Sequence, residues 1–127
     1  MDFKDILDQA VKIVLLISEN KRTQINALLE QLESREDENG IRMLIIYLLR
    51  QVDRGIFNKQ AAREIIDFLK NKIMGQPESK KNARIFVGLI KWLYDTKKVV
   101  NVKDKNKLLT ATEKNFEMYI EEFLKNP

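Results

Sequence analysis

An all-α bundle is the fold this sequence predicts, and three observations predict it. Apolar residues recur at spacings of three and four along most of the chain, the period of a helix with one buried face. Only four glycines and two prolines occur in 127 residues, too few turn residues for a many-stranded β fold. The composition, 44% hydrophobic and 33% charged, suits a globular chain that buries roughly two-thirds of its unfolded surface. The expectation is a single helical domain over residues 1–127, a compact bundle of about five to six helices. Residues 99–110 stay open between a loop and one short β-hairpin.

The first helix is predicted over about 3–18, where Phe3, Leu7, Ala10, Val14 and Ile17 form the stripe and Ile6, Val11, Ile13 and Leu15 widen it. SENKRT breaks it. A second helix follows over about 23–34, with Thr23 as N-cap and Ile25, Leu28, Leu29 and Leu32 on one face. SREDENG reads as a polar loop that Gly40 ends. The third helix, about 41–54, contains seven consecutive apolar residues, Met43–Leu49, too short a run to cross a membrane. Being apolar nearly all round, it is expected at the centre of the bundle. Gly55 suits the left-handed residue beyond its end.

Asn58 is expected to cap a fourth helix that carries Ala61, Ala62, Ile65, Ile66, Leu69 and Ile73 inward. MGQPESK is a break, because Pro77 disfavours helix at Gln76. A long fifth helix over about 80–98 turns Ala83, Phe86, Val87, Ile90, Leu93 and Tyr94 inward, and Trp92 beside Leu93 is expected in the core. VVNVKDKNKLLTAT (99–112) is ambiguous, a loop or two strands around a KDKN turn. Thr110 and Glu113 form a capping box for a last helix with Phe116, Tyr119, Ile120, Phe123 and Leu124.

The chain has no cysteine, which excludes disulfides and thiolate chemistry. It has no histidine, which removes histidine-based catalytic triads and the usual zinc and iron ligands. The four glycines are isolated, so no phosphate-cradling loop exists. Glu64, Asp67 and Lys70 share a helical face that could hold magnesium, but with Arg63 nearby they read as a solvated face with local ion pairs. A non-enzyme without cofactor or metal is expected. MDFKDILDQA does not resemble a secretory signal and no 18-residue apolar run exists, so a cytoplasmic chain without a membrane partner is expected.

Charge is uneven along the chain. Residues 1–40 carry five Lys/Arg against nine Asp/Glu, residues 41–110 sixteen against six, and residues 111–127 two against four. A basic middle between acidic ends fits a polyanion-binding face. Its rows are Arg42, Arg50 and Arg54 on the third helix and Lys59, Arg63 and Lys70 on the fourth. On the fifth lie Lys80 with Lys81, Arg84, Lys91 and Lys98, and Gly88 sits among them. Arg50, Arg54, Lys59, Arg63, Lys80, Lys81, Arg84, Lys91 and Lys98 are therefore candidate phosphate contacts. The same residues would equally serve as the polar faces of amphipathic helices. Tyr47, Trp92 and Tyr94, if exposed, would add base stacking and favour single strands.

Three segments resemble a known family. KRTQINALLEQL (21–32) resembles a motif of the small helical subunit of type III CRISPR interference complexes, in which Thr/Ser-Gln-Ile-Arg opens a leucine-rich helix. IRMLIIYLLRQVDRG (41–55) is similar to that family's following helix, and IFVGLIKWLYDTKK (85–98) to its late aromatic helix. Thr23, Gln24 and Ile25 match the motif, while Asn26 stands in place of its arginine and Arg22 is the nearest substitute. The resemblance adds Arg22 and Gln24 to the candidate contacts. It implies a non-catalytic bundle that binds guide or target RNA or a single strand, meets other effector subunits, and self-associates along a filament.

KWLYDTKKVVNVKDKNKLLTATEKNFEMYIEEFL (91–124) looks instead like the end of a winged-helix domain. That resemblance implies duplex-DNA binding by residues 80–125, with Lys103, Lys105 and Lys107 on the wing. The remaining alternative is a helical protein–protein adaptor.

Overall fold

A computed structural model describes residues 1–126 as helices joined by short turns. The elements are α1 (Phe3–Leu16), α2 (Arg22–Glu33), α3 (Asp37–Asp53), α4 (Lys59–Phe68) with a π-helical turn (Leu69–Ile73), α5 (Ser79–Thr96), α6 (Lys105–Thr110) and α7 (Asn115–Lys125). The all-α bundle is as expected, with seven α-helices among the described residues instead of five to six.

The centre of the bundle is α1, not α3. Its Ile6, Ala10, Val11, Ile13, Val14 and Leu15 are buried in several directions, and it packs against α4, α5, α6 and α7. The third helix instead buries one stripe, Ile41, Leu44, Leu48 and Gln51, and leaves Ile46 and Leu49 exposed. Its long apolar run overstates its burial because the run wraps past the inward stripe. Helices α2, α3 and α5 pack on one another, and α2 and α3 form an antiparallel pair. Phe68 and Phe86 meet at the core with ring centroids 4.7 Å apart, tilted by 42°.

Gly40 does not end a loop. The helix starts earlier, at Asp37, and Gly40 is buried within it. A Cβ at this position would run into the Leu32 carbonyl, and would lie 2.9 Å from the Arg35 carbonyl and 2.8 Å from the Lys80 ammonium. Glycine is what lets the start of α3 lie against the end of α2. Gly55, at φ +70°, takes the left-handed position beyond α3 as expected. Next to it, the Ile56 and Phe57 amides donate to the Gln51 carbonyl at 2.9 and 3.2 Å.

The caps follow the sequence at one place and depart from it at two. Asn58 caps α4 by accepting from the Ala61 amide at 3.1 Å. Thr23 is not a cap: α2 begins at Arg22 behind Lys21, which makes no side-chain capping bond. Thr110 ends α6 and donates to the Asn106 carbonyl at 2.8 Å, so no capping box opens the last helix. Instead the buried Asp8 carboxylate reaches across from α1 and accepts from the Lys114 and Phe116 amides at 3.2 and 2.9 Å. A carboxylate at a helix start also faces the positive end of the macrodipole.

No β-hairpin forms over residues 99–110, and no strand occurs among the described residues. Asp104 accepts from the Lys107 amide at 3.1 Å and starts α6, and Leu108 is buried behind it. The wing required by the winged-helix resemblance is therefore a loop and a short helix. No helix among the described residues is long and apolar enough to cross a membrane.

Candidate nucleic-acid interface

The helices bring their ends together at two opposite poles. At the upper pole α1, α3 and α5 end and α2 and α4 begin. Three successive carbonyls at the end of α1 receive side chains from other helices there. Asn58 donates to Leu16 at 3.2 Å, Lys97 donates to Ile17, and the Tyr94 hydroxyl donates to Ser18 at 3.0 Å. The same hydroxyl accepts from the Lys21 amide at 3.0 Å, fastening the start of α2 to the end of α5. The Lys97 ammonium also lies 5.4 Å from the centre of the Tyr94 ring, a cation–π contact. Burial holds the Lys97 ammonium below the usual lysine range, helped by the like charge of Lys105.

Five of the candidate contacts lie at this end of the bundle, Arg22, Arg50, Arg54, Lys59 and Lys98, and of these Arg22 and Lys98 line one cleft. Arg22 is paired with Asp95 at 3.1 Å. Among the described residues, no carboxylate lies within 4.0 Å of Arg50, Arg54, Lys59 or Lys98. Lys21 and Lys97, which were not among the candidates, join them. A cleft of about 340 Å³ opens here between Arg22, Tyr94, Asp95, Lys97, Lys98 and Glu19. Tyr47 lies on the flank of α3, and burial, then the nearby Glu30, pushes its phenol above the usual range.

Gln24 comes to the same pole, but its Oε1 is buried and has no hydrogen-bond partner. The remaining candidates lie elsewhere. Arg63 is one turn into α4 and exposed, and Lys91 is half-buried midway along α5. Lys80, Lys81 and Arg84 sit at the lower pole, where α2 ends and α3 and α5 begin. There Lys80 donates to the Arg35 carbonyl at 2.7 Å, and Arg84 grips Glu33 with two bonds of 2.8 and 3.1 Å. Lys81 is 3.9 Å from Glu78. Glu38 accepts from the Gly75 amide at 2.6 Å and lies 3.8 Å from Arg42. Lys80, Arg84 and Glu38 thereby join elements of the fold, whereas the Lys81–Glu78 and Arg42–Glu38 pairs are local to the start of one helix.

Trp92 is not in the core. Its indole is 74% exposed on the outer ridge of α5, where sequence position beside the buried Leu93 gave no warning. The helical angle carries the signal. A step of about 100° per residue turns Trp92 away from Ile90 and Leu93, which share the buried arc. Gly88, one turn before it, has nothing within 4 Å of where a Cβ would stand.

Asp67 accepts from Asn71 at 2.7 Å, and no group of three or more metal-ligating side chains gathers among the described residues. What the upper pole can do chemically is present several exposed cations to a polyanion. Comparison of the chain with family models, with curated proteins and with solved structures finds no match.

Proposed function

We propose that this chain is a non-catalytic, nucleic-acid-binding subunit that contacts an RNA backbone, or a single strand, through its upper pole. The observation that carries the reading is that Arg22, Arg50, Arg54, Lys59 and Lys98 lie at one end of the bundle, at or just beyond the ends of four helices, four of them without a carboxylate within 4.0 Å. Cations spread over several elements follow a phosphate backbone and carry no sequence preference. The resemblance to the small subunit of type III CRISPR effector complexes gives the reading its biological form. In that form the chain works in the cytoplasm within a ribonucleoprotein, touches guide or target RNA, meets other subunits and stacks with copies of itself. The exposed Ile120, Phe123 and Leu124 of α7 suit such subunit contacts.

Fluorescence anisotropy with labelled single-stranded RNA, RNA duplex, single-stranded DNA and DNA duplex, repeated across a salt series, tests it. Salt-steep binding to RNA or single strands is expected, lost in an Arg50→Glu/Arg54→Glu variant and kept in Lys81→Glu. No binding to any strand at low salt, or equal loss in both variants, would remove the upper pole as the interface.

A further inference from the structure

We propose that the outer ridge of α5 is a contact between two copies of this chain, closing a two-fold dimer in which each Trp92 indole lies over Gly88 of the other copy. This goes beyond the nucleic-acid reading, which rests on the upper pole. It is also distinct from filament stacking, because a two-fold contact is complete after two copies.

Two features of the ridge have no use within one chain. Trp92 leaves 74% of its surface in solvent, and large aromatics are the residues that anchor protein interfaces. Gly88 lies inside an 18-residue helix, where glycine is unfavourable relative to alanine. Its φ is not positive and no atom crowds it, not even the Trp92 indole one turn on. Nothing in the fold requires the missing side chain. Knob and notch thus sit about 6 Å apart along the same face.

That spacing selects a second copy as the occupant. When two antiparallel helices cross about a two-fold axis level with the midpoint of residues 88 and 92, position 92 of each meets position 88 of the other. The same register sets Asp95 against the turn of the other copy that carries Arg84. Asp95 is already held by Arg22, and Arg84 by Glu33. The contact would therefore link two ion pairs into an alternating row of four charges across the interface.

The chain has a single tryptophan, so its emission reports on this ridge alone. Sedimentation velocity over a wide concentration range, run in parallel with tryptophan emission and acrylamide quenching, tests the dimer. With rising concentration the expected result is a shift to the dimer's sedimentation, a blue shift in emission and protection from the quencher. Trp92→Ala is expected to weaken association about thirtyfold or more, as for a buried tryptophan anchor. Gly88→Leu fills the notch in open space, so it should melt higher than the native chain and yet stay monomeric with a fully quenchable indole. A native chain that remains monomeric throughout, or a Gly88→Leu variant that dimerises undiminished, overturns the proposal. Quenching of monomeric Trp92 by RNA would also overturn it, giving the ridge to a strand.

Discussion

The two poles of this bundle are rich in the same residue types and use them in opposite ways. At the lower pole Lys80, Arg84, Glu33 and Glu38 are each bonded to a residue of another element. At the upper pole the joins run mainly through the Tyr94 hydroxyl and the Asn58 amide, and most of the cations have no carboxylate partner. A basic residue in the sequence therefore has two meanings. Where a neighbouring element sets a carboxylate or a carbonyl within reach, as Glu33 does for Arg84 and Arg35 for Lys80, it holds the fold, and where neither is near it is available to a polyanion.

Backbone substitutions test the packing side of this contrast most strongly. Gly40→Ala forces a Cβ onto the Leu32 carbonyl, and backbone cannot yield as a flexible side chain can. A loss of about 3 kcal/mol or outright failure to fold is expected in urea denaturation. At the upper pole Gly55→Ala meets no atom within 4 Å and loses only the ease of its positive φ, about 1 kcal/mol. Equal losses at the two sites would mean that the poles do not differ in packing.

A smaller effect separates holding from binding within the upper pole. Tyr94→Phe removes the hydroxyl that bridges Ser18 and Lys21, a loss of about 1 kcal/mol, but leaves every cation in place. Stability should fall while the salt dependence of RNA binding stays the same. Arg54→Ala should do the reverse, lowering the slope of log affinity against log salt by about one with little change in melting. Arg84→Ala at the other pole is expected to leave that slope alone and to cost about 0.5 kcal/mol, since its pair with Glu33 is well exposed to solvent.

Much of the fold was legible from local pattern. The stripes of α4 and α5 and that of α1 apart from the exposed Phe3, the Asn58 cap and the Gly55 terminus depend on residues within a turn or two of one another. What could not be read depends on distance along the chain. Asp8 caps α7 from more than a hundred residues away, and no local motif announces it. The start of α3 is set by the fit of Gly40 against α2, so a string of polar residues that reads as loop is partly helix. The candidate site divides in the same way. The cations are visible in the sequence, but which of them carry a partner depends on the acidic side chains that folding sets beside them. Arg84 and Arg54 look alike until α2 brings Glu33 to the first and no carboxylate to the second.

Acid should set the two poles apart most delicately. Hydrogen bonds from Arg84 hold Glu33 below the usual glutamate range, and the Gly75 amide, followed by the Ser79 side chain, does the same for Glu38. In the unfolded chain both titrate near their ordinary value of 4.5. Above that pH both carboxylates are ionised in either state, and their full contribution to stability is present. As the pH falls through 4.5 the unfolded chain binds protons first, so stability drops until the folded carboxylates protonate as well. At the upper pole the Asn58 amide does not titrate and Lys97 keeps its donor protons in acid. Amide exchange, corrected for the intrinsic effect of pH, should therefore rise at Gly75 and the first turn of α5 before it rises at the end of α1. Glu38→Gln should abolish the response at Gly75, because the amide side chain no longer titrates. Exchange that rises equally at both poles would show that the carboxylate joins do not hold the lower one, and the contrast between the two ends would then rest on packing at Gly40 alone.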